Sequence, residues 1–233
     1  MSGDRKLDYM YAVSNTELLL VPKKHLETFD NTLLHYHHVS EDMDSVGRVK
    51  VRTGKMQINR PQILTPGAYS KIVLEGFGEE ARKYAEWLQE HDSELHILRY
   101  GYALKQESFS EETVTDSLDA VVDRVLADVK ASEDPFGAVL KGVDDPWDVC
   151  LMRLFVAVVE NSVRTNFAEM AQRHLFEMED GIPKPVKEEI ERAFAAAAKD
   201  ASLIKPLGAL LQRHGLFGRY EERFFALVRR RNA

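Results

Sequence analysis

The sequence predicts an α+β fold, with an antiparallel β-rich first half that includes a covering helix and an all-α helical-bundle second half. Three observations lead there. Apolar residues alternate with polar ones over short runs before about residue 106, they recur every third or fourth position after Ser108, and a polar stretch from Glu107 to Asp116 separates the two rhythms. At 233 residues the chain suits two small domains, expected at 1–110 and 111–233.

In the first half, MYAV and ELLLV flank Ser14-Asn15-Thr16, which reads as a hairpin. TLLHYHHV is a further strand. Val49 and Val51 alternate with Arg48, Lys50 and Arg52, and Met56 and Ile58 alternate with Lys55 and Gln57. Thr53-Gly54 between them suggests a second hairpin with one wet face. EEARKYAEWLQEH after Gly78 carries a helical apolar stripe, and LHILRYGYAL, apolar on both faces, suits a central strand.

In the second half, Asp116 or Ser117 caps a helix whose seam is Leu118, Val121, Val122, Val125, Leu126 and Val129. Asp145-Pro146 opens an apolar helix through WDVCLMRLFVAVVENS, and Asn166 with Glu169 fits the capping box of the next. Gly181-Ile182-Pro183 ends that region, and Pro185 starts a helix with Val186, Ile190, Phe194 and Ala197 on its buried stripe. Two short helices, Leu203 to His214 and Arg219 to Arg231, close the chain.

A net charge of −7 argues against whole-molecule attraction to nucleic acid or anionic lipid. The single cysteine, Cys150, permits neither an intrachain disulfide nor a cysteine zinc cluster, and with no export signal this makes the expected location cytoplasmic. The longest apolar tract, 147–159, is shorter than the roughly 20 residues that span a bilayer, so no membrane partner is expected.

The residues with most chemical content are His35-Tyr36-His37-His38. On a strand His35 and His37 point to one face, where two imidazoles can ligate a divalent transition metal, with Glu41 as a third donor. The run resembles part of the first metal-binding motif of the cupins, a β-barrel superfamily whose histidine pair and glutamate hold such a metal. The resemblance stops there: Phe29 stands where the motif has glycine, and no histidine follows Thr65-Pro66-Gly67 at the spacing of the second motif. The plainer reading makes these histidines half-exposed sheet residues bonded to backbone or water.

Arg48, Lys50 and Arg52 form a basic row that either protects a sheet edge or binds an acidic partner. Arg219, Arg223, Arg229, Arg230 and Arg231 on the last two helices offer a nucleic-acid reading, against which stand Glu221, Glu222 and the helix dipole's own preference for C-terminal cations. Cys150 reads as core, and Arg153, inside an apolar helix, requires a partner from another helix. Phosphate-loop, dinucleotide, GxSxG, HExxH and EF-hand patterns are all missing. The leading expectation is therefore a non-catalytic protein that binds another macromolecule, with another protein as partner. The alternatives are a metal-dependent enzyme at His35 and His37, and nucleic-acid binding by the C-terminal helix pair.

Overall fold

The computed structural model describes residues 9–63, 74–75, 83, 98–99 and 102–232. Its centre is a mixed sheet flanked by helices, so the α+β class is observed. The described elements are α1 (Tyr9–Ser14), β1 (Glu17–Leu20), β2 (Thr32–Glu41), β3 (Val49–Ile58), β4 (Gln62–Ile63), β5 (Leu74–Glu75), β6 (Leu98–Arg99) and β7 (Tyr102–Val114). They continue with α2 (Leu118–Ala131), β8 (Gly137–Lys141), α3 (Trp147–Gln172), β9 (Met178–Glu179), β10 (Ile182–Pro183), α4 (Lys184–Lys199), a 3₁₀ turn (Ala201–Leu203), α5 (Ile204–Arg213) and α6 (Phe217–Asn232). Among the described residues no helix is long and apolar enough to cross a membrane.

The main sheet has the order β1-β8-β2-β3-β7-β5. β2 pairs in parallel with β8, and β5 in parallel with β7, while the other neighbours are antiparallel. Successive side chains of a strand face opposite ways. Val39, Val49 and Val139 therefore share one face, and α2 covers it with Val121, Val122, Val125 and Val129. Ser117 caps α2 as its position demands, its side chain accepting from the Ala120 amide. The opposite face carries Leu34, Tyr36, His38, Met56 and Ile58, all buried, and meets α3 through Trp147.

Four expectations give way here. MYAV is helix α1 rather than a strand, and the Asn15 and Thr16 side chains donate to the carbonyls of Tyr11 and Ala12, closing that helix instead of a hairpin. Residues 49–58 form one continuous strand, with Gly54 at its middle. An added Cβ there would lie 2.4 Å from the Tyr36 hydroxyl oxygen and 2.6 Å from its Cζ, so glycine serves close packing of a cross-strand ring and not a turn. Asn166 lies inside the unbroken helix α3. It is fully buried, and its Nδ2 donates to the Leu26 carbonyl at 2.8 Å and to Thr28 Oγ1 at 2.7 Å. Finally, the second half is not all helical, because residues 137–141 form β8 between β1 and β2. Covered on both faces, that short apolar run has no alternation to betray it. Apart from Lys83, which is helical, the covering helix foreseen after Gly78 lies outside the described residues, as does the start of LHILRYGYAL.

Contacts group the chain into two compact units, the second of which takes in β4 and β6 as well as the residues after Asn166. The first holds the main sheet, α1, α2 and α3 up to Asn166. In the second, the Val186, Ile190, Phe194 and Ala197 stripe of α4 packs with Leu207 and Leu211 of α5 and with Tyr220 and Phe224 of α6, as the spacing predicts. A tight ribbon, β9 and β10, turns at Asp180 and Gly181, both with positive φ.

Gly54→Ala is expected to destabilise the protein by about 1–3 kcal/mol, the usual cost of forcing a group into a filled core. Tyr36→Phe in the same background should recover part of the loss by removing the oxygen nearest the new methyl, and urea denaturation of both variants measures it.

Candidate functional site

On the α3 side of the sheet the ionisable residues of β2 and β3 are close-packed and paired. Arg52 lies opposite His38 on β2 and Glu111 on β7 and is 5% exposed. Its Nη2 donates to Asp144 Oδ1 at 2.5 Å, its Nε to Glu111 Oε2 at 2.6 Å, and its Nη1 to Ser40 Oγ at 3.3 Å. Lys50 donates to Asp144 at 2.8 Å and to Asp42 at 3.0 Å, and the Met43 amide donates to Asp144 Oδ2 at 3.0 Å. Burial by itself would raise the Asp144 carboxyl, but the donors from Lys50, Met43 and Arg52 outweigh it and hold it below the usual carboxylate range.

The basic row is therefore not a wet cationic face. Lys50 and Arg52 are neutralised within the fold, and of the three only Arg48, at the β2–β3 connection, is exposed. Alternation of cations with valines looked like a one-sided strand because Asp144, their common acceptor, stands 92 and 94 residues away in sequence. Asp144, just before the Asp145-Pro146 pair that precedes α3, holds these cations.

Trp147 stands over this cluster. The Arg52 guanidinium is 5.4 Å from its ring centroid, Phe109 stacks on it at 5.4 Å, and Tyr36 and His38 lie at 6.4 and 6.3 Å. Phe109 reaches Trp147 because β7 bulges. Thr53 pairs with Ser110 but Lys55 pairs with Lys105, so residues 106–109 stand against Gly54 alone. Behind Trp147 the His38 ring is fully buried, not half-exposed as its strand position suggested, and neither ring nitrogen finds a hydrogen-bonding partner. Burial, with Arg52 nearby, lowers its pKa to about 3, so the ring is neutral. A Cβ on Gly142 would come within 2.6 Å of Cys150 Sγ and 2.9 Å of His38 Nε2, which leaves no room for a substrate between them. Burial also raises the Cys150 thiol, so the cysteine is core, as its apolar surroundings predicted. Arg153 finds its partner too: Nη1 donates to the Val13 carbonyl of α1.

The opposite face carries the histidines of interest, near the C-terminal end of α2: His35 pairs with Gly137, against which Val129 packs. His35 Nδ1 pairs with Asp134 Oδ2, and His37 Nδ1 lies 3.1 Å from Thr53 Oγ1. His35 Nε2 is buried and meets no hydrogen-bonding atom. Burial, followed by the charge of His35, lowers the His37 pKa against the opposing influence of Asp128 and Asp134. Glu41 does not join them: it is exposed at the end of β2, four residues or roughly 13 Å along the strand from His37. Among the described residues no group of three or more histidine, cysteine, aspartate or glutamate side chains is placed to hold a metal ion.

Of the C-terminal arginines, Arg223 makes a two-pronged pair with Glu191 at 2.6 and 2.7 Å and covers the Phe194 ring at 4.1 Å, while Arg219 donates to the Asp180 carbonyl. Both serve the second unit's own packing, which leaves the nucleic-acid reading without two of its five cations. Searches with family models and against curated proteins and solved structures find no match to the chain.

Proposed function

We propose that the chain is a non-catalytic protein-binding module, and that it takes an extended basic segment of its partner along the outer edge of β7. The observation that carries this reading is the state of residues 109–113. All five are exposed, although they belong to a thirteen-residue strand whose other edge pairs with β3 at 102–105 and 110–114. Among the described residues only Tyr102 and Ala103 have a strand on the outer side, from β5.

Every second residue of such a strand turns its N–H and C=O away from its neighbour, which is the template used in strand addition. The side chains argue for the partner's charge. Glu112 is exposed, the Glu111 side chain is 40% exposed while anchored by Arg52, and Phe109 offers an aromatic anchor stacked on Trp147. The non-catalytic part of the reading is supported by the sealing of Cys150 and His38 and by the closure of Lys50, Arg52, Asp42, Asp144 and Glu111 on one another.

A labelled peptide of roughly ten residues alternating lysine and valine is the probe. Binding should weaken with salt, shift backbone amide resonances mainly between Phe109 and Val114, and fall by about fivefold or more in Glu112→Lys. Equal binding of an alternating glutamate and valine peptide, or amide shifts spread over the whole surface, would remove the basis for this assignment.

A further inference from the structure

We infer that His35 and His37 together form a two-imidazole site for a divalent transition metal ion, with Asp134 and Thr53 as the outer groups that orient the two rings. The case starts from tautomers. A carboxylate can only accept, so Asp134 against His35 Nδ1 places the imidazole hydrogen there and leaves the lone pair on Nε2. That Nε2 is buried and without a hydrogen-bonding partner, an arrangement that costs free energy unless something satisfies the lone pair. A carboxylate behind one imidazole nitrogen with the other left bare is the outer-shell pattern that supports a metal-bound histidine.

His37 supplies the second nitrogen. It lies two residues along β2 on the same face, at a Cα spacing of roughly 6.6 Å, which lets two imidazoles converge on an ion about 2.0–2.1 Å from each nitrogen. Its Nδ1 lies 3.1 Å from the Thr53 hydroxyl, which can accept from it in the tautomer that leaves the Nε2 lone pair for a metal. Chemically the set suits zinc, copper(II) or nickel(II), which accept imidazole, over magnesium or calcium, which want oxygen. With two protein donors the remaining positions go to solvent or to a donor brought by another molecule. The site is separate from the β7 edge and independent of the peptide reading.

The test is calorimetric titration of zinc chloride into the tag-free full chain, with thermal melts in chelator to show that each variant folds. One ion per chain is expected. Both His35→Gln and His37→Gln should abolish binding, and Asp134→Asn should weaken it by about 10- to 100-fold. Glu41→Gln should leave it unchanged, because that side chain is too far along the strand. Copper(II) in place of zinc should show spectroscopic coupling to two imidazole nitrogens, and that signal should be lost in His37→Gln. The inference is overturned if the wild type takes up no ion, if the His35→Gln and His37→Gln double variant binds like the wild type, or if Asp134→Asn changes the melting temperature and not the affinity.

Discussion

Replacing Asp144 with alanine is expected to lower the unfolding free energy by about 3–5 kcal/mol, the cost of leaving a buried charge without its partner. Asp144 is 6% exposed and accepts from three donors that arrive from different places: Arg52 and Lys50 on β3 and the Met43 amide on the β2–β3 connection. With the carboxylate gone, Arg52 keeps Glu111 and Ser40 but remains almost fully covered by Trp147 and its sheet neighbours. The control is the double variant Asp144→Ala with Arg52→Met, in which both charges leave together. It should be more stable than Asp144→Ala alone, since an apolar side chain of similar length suits the site better than an orphaned cation. Urea midpoints at constant m-value measure both. A loss below about 1 kcal/mol would place this cluster with ordinary surface ion pairs, against its burial.

The same cluster marks the limit of what could be read from the residues in order. Elements whose evidence is local were legible: β2 from TLLHYHHV, α2 from its valine seam and Ser117 cap, and α4 from Val186, Ile190, Phe194 and Ala197. Wherever a residue's purpose lies far away in the chain, the local rules misled. Gly54 follows Thr53 as turn residues do, yet it is there because Tyr36 on the next strand lies over it. Asn166 precedes Glu169 as a capping residue would, yet its partners are Leu26 and Thr28. β8 was invisible because a strand inserted between two others and covered on both faces loses the period-two signature.

At the candidate sites the outcome follows the same logic. That His35 and His37 share a face is a property of any strand, so the sequence suffices. Asp134, which fixes the tautomer of His35, lies 99 residues on and could not be foreseen. Glu41, chosen for its nearness in sequence, is carried away by the strand's own rise. Phe109 and Trp147 gave no warning of their stacking, since it depends on a bulge set by the register of β7 on β3.

Acid should destabilise this protein earlier than its carboxylates alone require, and His38 is the reason. In the unfolded chain the ring takes up a proton near pH 6.5, whereas in the folded chain burial, aided by Arg52, lowers that value to about 3. A depressed folded-state pKa contributes stability that is complete above the unfolded value and is lost as pH falls through the window from about 6.5 to about 3. Each unit within that window costs about 1.4 kcal/mol, so by pH 5 the loss from this one ring is about 2 kcal/mol. Asp144, Asp42 and Asp134, whose values are also lowered, act in the same direction but only below the unfolded carboxylate range, and His37 adds a share that begins with His38. His38→Leu separates the contributions, because it leaves every other titrating group in place and fills a similar volume. Between pH 8 and pH 5 the wild type should lose about 2 kcal/mol more than His38→Leu in chemical denaturation. Parallel curves for the two proteins would mean that the buried ring finds a way to carry its proton, through Asp144 beside it, at no cost to the fold.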